Sequence, residues 1–204
     1  MREELHARRR AKIVAAARVV FTAQGYTRAK TADVARLARV SIATLYVHFE
    51  NKQALFDAFT ISALAPYEGP FELAERRAGD ARTVLTNFAL VYFDFMASPD
   101  LRSVYRAVGA ETNLRPELGV RLYQYAHNLL GGSLRRILAR LAARGELVLD
   151  DLPMASRLLE GMLEAVTLTP SMLGGDGVET GVDSEAYCER VVDIFLAGYG
   201  PAEN

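Results

Sequence analysis

Apolar residues return at helical spacing along almost the whole chain, while strict alternation, the mark of a half-buried strand, is rare. That periodicity confines the chain to an all-α fold. Ile13, Ala17, Val20 and Phe21 make one stripe of a first helix, with Arg8, Arg9 and Arg10 at its start, Gly25 as its C-cap and Tyr26 packing back. A second helix follows Lys30-Thr31, where Thr31 is expected to cap, Asp33 suits the first-turn dipole, and Val34, Leu37 and Ala38 face inward. Ser41 caps a third. There Leu45 and Phe49, four residues apart, point to the core and leave Ile42, Ala43, Thr44, Val47 and His48 outside, with Tyr46 at the edge of both faces. Asn51 or Glu50 starts a fourth helix carrying Leu55, Phe56 and Phe59, which ends before Pro66.

Further on, Pro66, Gly69, Pro70 and Gly79 predict a broken connection. Asp80 to Ala97 then reads as an apolar, aromatic-rich helix, Asp100 to Ala110 as a shorter one after Ser98-Pro99, and Pro116 to Arg144 as a long one closed by Gly145. Gly131-Gly132 interrupt that long segment. At about 1 kcal/mol each relative to alanine, they imply a kink, a close approach by a backbone or ligand, or two helices in place of one. Leu152-Pro153 starts the next helix, to about Leu173, and Ser184 a last one reaching Gly198. Between them, GGDGVETG reads as a loop that lacks the Gly-Lys-Ser/Thr ending of a phosphate-cradling P-loop.

With 204 residues, half of them apolar, the chain can bury a substantial core as one domain or as a small head on a larger body. Its near-neutral total charge conceals a division at Phe56: residues 1–56 carry 11 Lys/Arg against 4 Asp/Glu, net +7, and residues 57–204 carry 13 against 21, net −8. A basic head, 1–56, on an acidic body, 57–204, suits a protein of which one end approaches a polyanion; chance clustering of solvated charges is the bland alternative. The single thiol, Cys188, forms no internal disulfide, and no Cys/His cluster has zinc spacing, so no metal or other cofactor is expected and the location reads as cytoplasmic. The apolar run after Lys12 is too short and too charged for a signal or membrane segment, and no membrane partner is expected. An enzyme is the main rival reading, but there is no G-x-S-x-G or H-E-x-x-H, and His6, His48 and His127 are scattered; no catalytic residue is assigned.

The helix at Thr31–Ala38, the turn at Arg39-Val40 and the helix opened by Ser41 have the layout of a helix-turn-helix, the second helix aimed at a major groove. The stripe ending in AQGY, the D-V-A of Asp33 to Ala35, and V-S-I-A-T-L-Y-V-H-F followed by Asn-Lys and Ala-Leu-Phe resemble the tetracycline-repressor-like (TetR) family of bacterial regulators over roughly residues 10–58. The body resembles one branch of that family less sharply, through L-R-S-V-Y-R-A and A-R-G-E-L-V-L-D-D-L-P. The resemblance implies a three-helix DNA-binding head joined to a larger helical body that binds a ligand and dimerises. It places Thr44, Tyr46, His48 and Lys52 on the DNA backbone, with Ser41 as cap. Ile42 and Ala43 are the candidates for base contact, Ile42 through a thymine methyl. Packing remains the alternative for Tyr46 and His48. Where the family often has glycine in the turn this chain has Arg39, which either remodels the turn or reaches a phosphate; Lys30-Thr31 stands where two hydroxyl residues are common, its charge serving the same phosphate.

The body holds more large side chains than a core usually needs. Phe88, Tyr92, Phe95 and Met96 recur on one stripe, and Tyr105, Tyr123, His127 and Met162 complete a candidate cavity for a small, mostly apolar effector; ordinary core is the alternative. Glu111 and Glu164 could meet a cationic ligand, or only Arg106 and Arg157 or Arg190. One short helix reads too few base pairs, so the partners implied are a palindromic double-stranded operator and a second copy, joined through Leu158, Leu159, Met162, Leu163 and Val166 and then Val191, Val192, Phe195 and Leu196 of the last two helices. The regulator implied is a repressor, with the fourth helix as connector. A DNA-binding protein without effector is the third reading.

Overall fold

The computed structural model describes residues 1–168 and 181–201, and all regular structure among them is helical. In chain order the helices are α1 (Arg2–Arg28), α2 (Thr31–Leu37), α3 (Ile42–His48), α4 (Lys52–Leu64), a 3-10 turn (Ala65–Tyr67), α5 (Glu68–Glu75), α6 (Ala81–Ala97), α7 (Pro99–Gly109), α8 (Pro116–Ala143), α9 (Leu152–Glu164) and α10 (Ser184–Tyr199). None of the described helices is long and apolar enough to cross a membrane. Two compact units result: Met1–Ala65 together with Ser103–Leu122, and Pro66–Arg102 together with the described residues from Tyr123 onward. Phe56, where the charge balance divides, is buried in the middle of α4, and the first unit runs past it.

In the first unit α1 packs on α4 and α2, and α2 on α3. Ile13, Ala17, Val34, Leu45 and Leu55 are completely buried around an aromatic cluster in which Phe21 and Phe56 meet edge to face at 4.9 Å. Leu37, expected inside, is 49% exposed, and Ala35 takes the inward place beside Val34 and Ala38. Val34, Ala35 and Ala38, at i, i+1 and i+4, set the inward face, and Leu37 lies about 100° round the helix from its centre. Gly25, with φ 72°, breaks the regular course of α1 and turns Tyr26 back onto the edge of Phe56, the rings 5.1 Å apart.

In the second unit α6 packs against α5, α9 and α10. The expected break across Pro66–Gly79 is replaced over most of its length by the 3-10 turn and α5. Pro70 falls in the first turn of α5, where a backbone N–H has no intrahelical partner to lose, and completely buried Phe71 anchors the helix. Of the alternatives at Gly131-Gly132, the structure has one continuous helix. Gly131 admits a neighbour: a Cβ there would lie 3.2 Å from Glu160 Oε1 and 3.3 Å from the His127 ring. Asp151 caps α9, accepting from Met154 N–H at 2.9 Å, and Asp183 caps α10 in the same way. Helix α9 gives way to turns after Glu164; Leu173, its expected end, and most of the Gly-rich stretch after it lie outside the described residues.

Candidate nucleic-acid interface

The α2–turn–α3 unit is held by local bonds. After α2, Val40 N–H donates to Ala35 C=O at 3.0 Å and Arg39 N–H to Arg36 C=O at 3.2 Å, the paired closure of a Schellman turn. That turn requires a left-handed residue, and Arg39 supplies it with φ 56°, the one non-glycine residue with positive φ among those described. The turn is therefore kept at the cost of backbone strain, and remodelling does not occur. Ser41 caps α3 as expected: its Oγ accepts from Thr44 N–H at 3.0 Å and lies 2.8 Å from Thr44 Oγ1.

Leu45 and Phe49 anchor α3 to the core, while Ser41, Ile42, Ala43, Tyr46 and Val47 are exposed and Thr44 half-buried. Thr31 does not cap α2. Lys30 holds that position without a side-chain cap bond, its side chain exposed, while Thr31 is the first helical residue, its hydroxyl 3.1 Å from the Tyr46 hydroxyl. Two helices thus bring hydroxyl groups together beside the exposed face of α3, where they can donate to phosphate oxygens without desolvating a full charge.

His48 is half-buried against the start of α1. Its ring centroid lies 4.1 Å from that of His6, and Nδ1 is buried without a hydrogen-bond partner. Burial first, and then His6, Arg9 and Arg10, hold its pKa below the usual histidine value. Arg10 stacks over the Phe49 ring at 5.1 Å, so the start of α1 contributes cations at the end of α3.

Lys52, at the start of α4, is half-buried. Its ammonium donates to Thr27 C=O at 3.1 Å and lies 4.7 Å from the Tyr26 ring centroid, whose pKa burial raises. Burial, then Arg115, push the Lys52 pKa down, and Glu111 opposes them. Glu111 itself is 6% exposed: Oε1 accepts from Thr27 N–H at 2.8 Å and Oε2 from the Thr27 hydroxyl at 2.5 Å. Burial alone would raise its pKa, but the two Thr27 donors, Lys52 and Arg115 together hold the carboxyl below its ordinary value. Arg115 stacks on Tyr26 at 5.0 Å and Arg121 pairs with Asp57 at 2.7 Å. Sequence reasoning missed this cluster because Thr27 and Glu111 are separated by 84 residues and no local pattern joins them.

The candidate ligand residues divide. Phe88, Tyr92, Phe95 and Met96 are at most 1% exposed and form one buried stripe on α6 with Phe71, whose ring lies 5.6 Å from Phe88 and 5.8 Å from Phe95. Met162 is half-buried on α9; Tyr123, 67% exposed, stacks on His127 at 5.6 Å; Tyr105 belongs to the other compact unit. Among the described residues, Glu111 meets Thr27 and Glu164 accepts from the Tyr92 hydroxyl at Oε1, 2.5 Å, where Arg106, Arg157 or Arg190 was the expected partner. Burial raises the Glu164 pKa against that bond, with Glu160 adding to the rise. Cys188 is buried and its thiol pushed up to about 12, which leaves it unreactive.

A family model described as "Bacterial regulatory proteins, tetR family" matches residues 13–59, and one described as "AefR-like transcriptional repressor, C-terminal domain" matches residues 83–201. Among solved structures, a protein from Mesorhizobium loti described as a TetR-family transcriptional regulator is 24% identical with a TM-score of 0.82, the match covering 96% of this chain and 98% of that one. The flavonoid-responsive regulator FrrA is 22% identical, with a TM-score of 0.78 over 97% of this chain and 100% of its own. The regulator FadR from Bacillus subtilis, in complex with stearoyl-CoA, is 20% identical, with a TM-score of 0.69 over 92% and 98%. At these identities the likeness is one of fold. No curated protein matches the chain.

Proposed function

The chain belongs to the TetR family of bacterial transcriptional regulators, and we propose that it acts as a repressor: a dimer that binds a palindromic operator and releases it when a small, mostly apolar ligand occupies the carboxy-terminal body. Members of the family are DNA-binding transcription factors and not enzymes. The observation that carries the reading is the exposed face of the Ser41-capped α3, with the Thr31 and Tyr46 hydroxyls 3.1 Å apart at its edge. In this reading Ile42 and Ala43 meet base edges, while Lys30, Thr31, Arg39, Thr44, Tyr46, His48 and Lys52 hold the backbone.

The second copy docks through α9 and α10. Of the residues expected there, Leu159, Leu163, Val191, Val192 and Phe195 are already buried within the chain, and Met162, Val166 and Leu196 are half-buried; Leu158, joined by Met154 and Ile194, each about half exposed, offers the most surface to a partner. The effector class rests on the aromatic stripe of α6, with the Tyr92–Glu164 pair as its polar handle. Two structures of the same fold support an effector with a large apolar surface, one being flavonoid-responsive and the other bound to stearoyl-CoA.

Selection of bound duplexes from a random pool tests the reading. The expected product is a palindrome whose half-sites lie about 34–36 Å apart, or a multiple of that spacing, and a screen of apolar small molecules then yields compounds that release it. Absence of any salt-dependent duplex binding would sink the proposal. Operator binding that no ligand relieves would leave a DNA-binding protein without an effector.

A further inference from the structure

Residues 103–122 sit in the compact unit that contains the helix-turn-helix, although in the chain they lie between two stretches of the other unit. Three contacts fasten them there: Arg121 to Asp57, Arg115 on Tyr26, and Glu111 to Thr27. The third differs from the others in how many groups it commits. Both oxygens of Glu111 are taken by the N–H and hydroxyl of Thr27, and the remaining backbone group of Thr27, its carbonyl, accepts from the Lys52 ammonium at 3.1 Å. Gly25 leaves room for the approach: a Cβ there would stand 2.8 Å from Glu111 Oε1, so the carboxylate would have to shift, and the φ of 72° is itself one that side chains rarely adopt.

We infer that Glu111 is a positioning residue for DNA binding, acting through Thr27 to hold the Lys52 ammonium where it meets a phosphate. The inference rests on the reading that Lys52 contacts the DNA backbone. An ammonium has three donors. The Thr27 carbonyl uses one and fixes the direction of the others, which lowers the ordering cost of a lysine at a phosphate. Without Glu111, Thr27 loses the acceptor of its N–H and hydroxyl, and the carbonyl that orients Lys52 is no longer fixed. Because the chain enters and leaves this segment at Arg102–Ser103 and Leu122–Tyr123, a ligand-induced change in the body has a covalent route to the same residue.

The sign of the effect separates this relay from simple proximity. A carboxylate that only sits near a polyanion repels it, so neutralising it tightens binding. The relay requires the opposite. Binding of the full-length protein to a random-sequence duplex at low salt is measured for the wild type, Glu111→Gln, Thr27→Val, Lys52→Ala and the two double variants with Lys52→Ala, thermal melting confirming that each is folded.

Glu111→Gln is expected to weaken binding about fivefold, the lower end of coupling between linked sites. Thr27→Val, which keeps the shape and removes only the hydroxyl, weakens it less. Lys52→Ala lowers the slope of log affinity against log salt by about one, and in its background neither other substitution has a further effect. Tighter or unchanged binding by folded Glu111→Gln, or losses that add to that of Lys52→Ala, overturns the relay while leaving DNA binding intact. If Glu111→Gln does not fold, Thr27→Val decides alone by the same criterion. Failure of the wild type to bind any duplex overturns the functional reading and the relay with it.

Discussion

Arg39 holds a left-handed backbone, φ 56°, at the point where glycine would be free of strain. Arg39→Gly is therefore expected to stabilise the protein by about 0.5–1 kcal/mol, the relief of strain exceeding the added freedom of the unfolded glycine, and to raise Tm by about 2 °C. The same substitution should weaken DNA binding and flatten its salt dependence if the guanidinium holds a phosphate; a gain in stability with no change in salt slope would remove Arg39 from the contacts. His48 gives a pH dependence with two signs. Its folded pKa lies below the unfolded value, so its contribution to stability is fully present above about pH 6.5 and is lost as pH falls through the folded pKa. A phosphate beside the ring favours the proton that His6, Arg9 and Arg10 disfavour, so duplex binding should take up protons and strengthen as pH falls through that window. Calorimetry in buffers of different ionisation enthalpy measures the uptake, and loss of the uptake in His48→Gln assigns it. Ser41, Leu45 and Phe49 were legible in the sequence because caps and i, i+4 spacing are local; the His6–His48 pair was not, since 42 positions separate two rings that only the tertiary fold brings to 4.1 Å.

Among the elements, α2 and α3 are each seven residues long, and of the two α3 carries the side-chain cap. Helices of that length are marginal without tertiary support, so the Ser41 cap matters more here than it would on α6. Ser41→Ala is expected to cost about 1 kcal/mol, measured by denaturant unfolding, and to weaken duplex binding as α3 frays; equal stability would show that packing of Leu45 alone holds the helix. The starts of α4 and α6 were legible for the same reason as that of α3; α9 was placed by Pro153 and α10 by Ser184, and the caps that hold them, Asp151 and Asp183, went unread. Helix α5 was not: Gly69-Pro70 reads as a breaker, and only the burial of Phe71 and Ala74 shows why a helix forms across it. The course of α8 through Gly131-Gly132 was likewise undecidable from spacing, because one of the side chains that use the missing Cβ, Glu160, comes from α9, beside Arg135 and His127 of α8 itself.

At the scale of the whole molecule, the family and all-α class followed from periodicity and the motif, whereas the division into units did not, because charge and apolar patterning see only neighbours along the chain. The proposed dimer makes its own prediction. Leu158→Asp and Ile194→Asp together place charges on the half-exposed apolar surface of α9 and α10, and sedimentation should show monomers at micromolar concentration while helical content is retained. Loss of tight operator binding should accompany it; a dimer that survives both changes would move the interface elsewhere. The return of residues 103–122 to the unit of the helix-turn-helix also limits how such a regulator can be rebuilt. A hybrid made by splicing residues 1–65 onto a foreign body would leave Thr27 and Asp57 without Glu111 and Arg121. Transplanting the reading head of this protein requires two cuts more than its linear map suggests, and recombination between relatives should tend to carry the two pieces together.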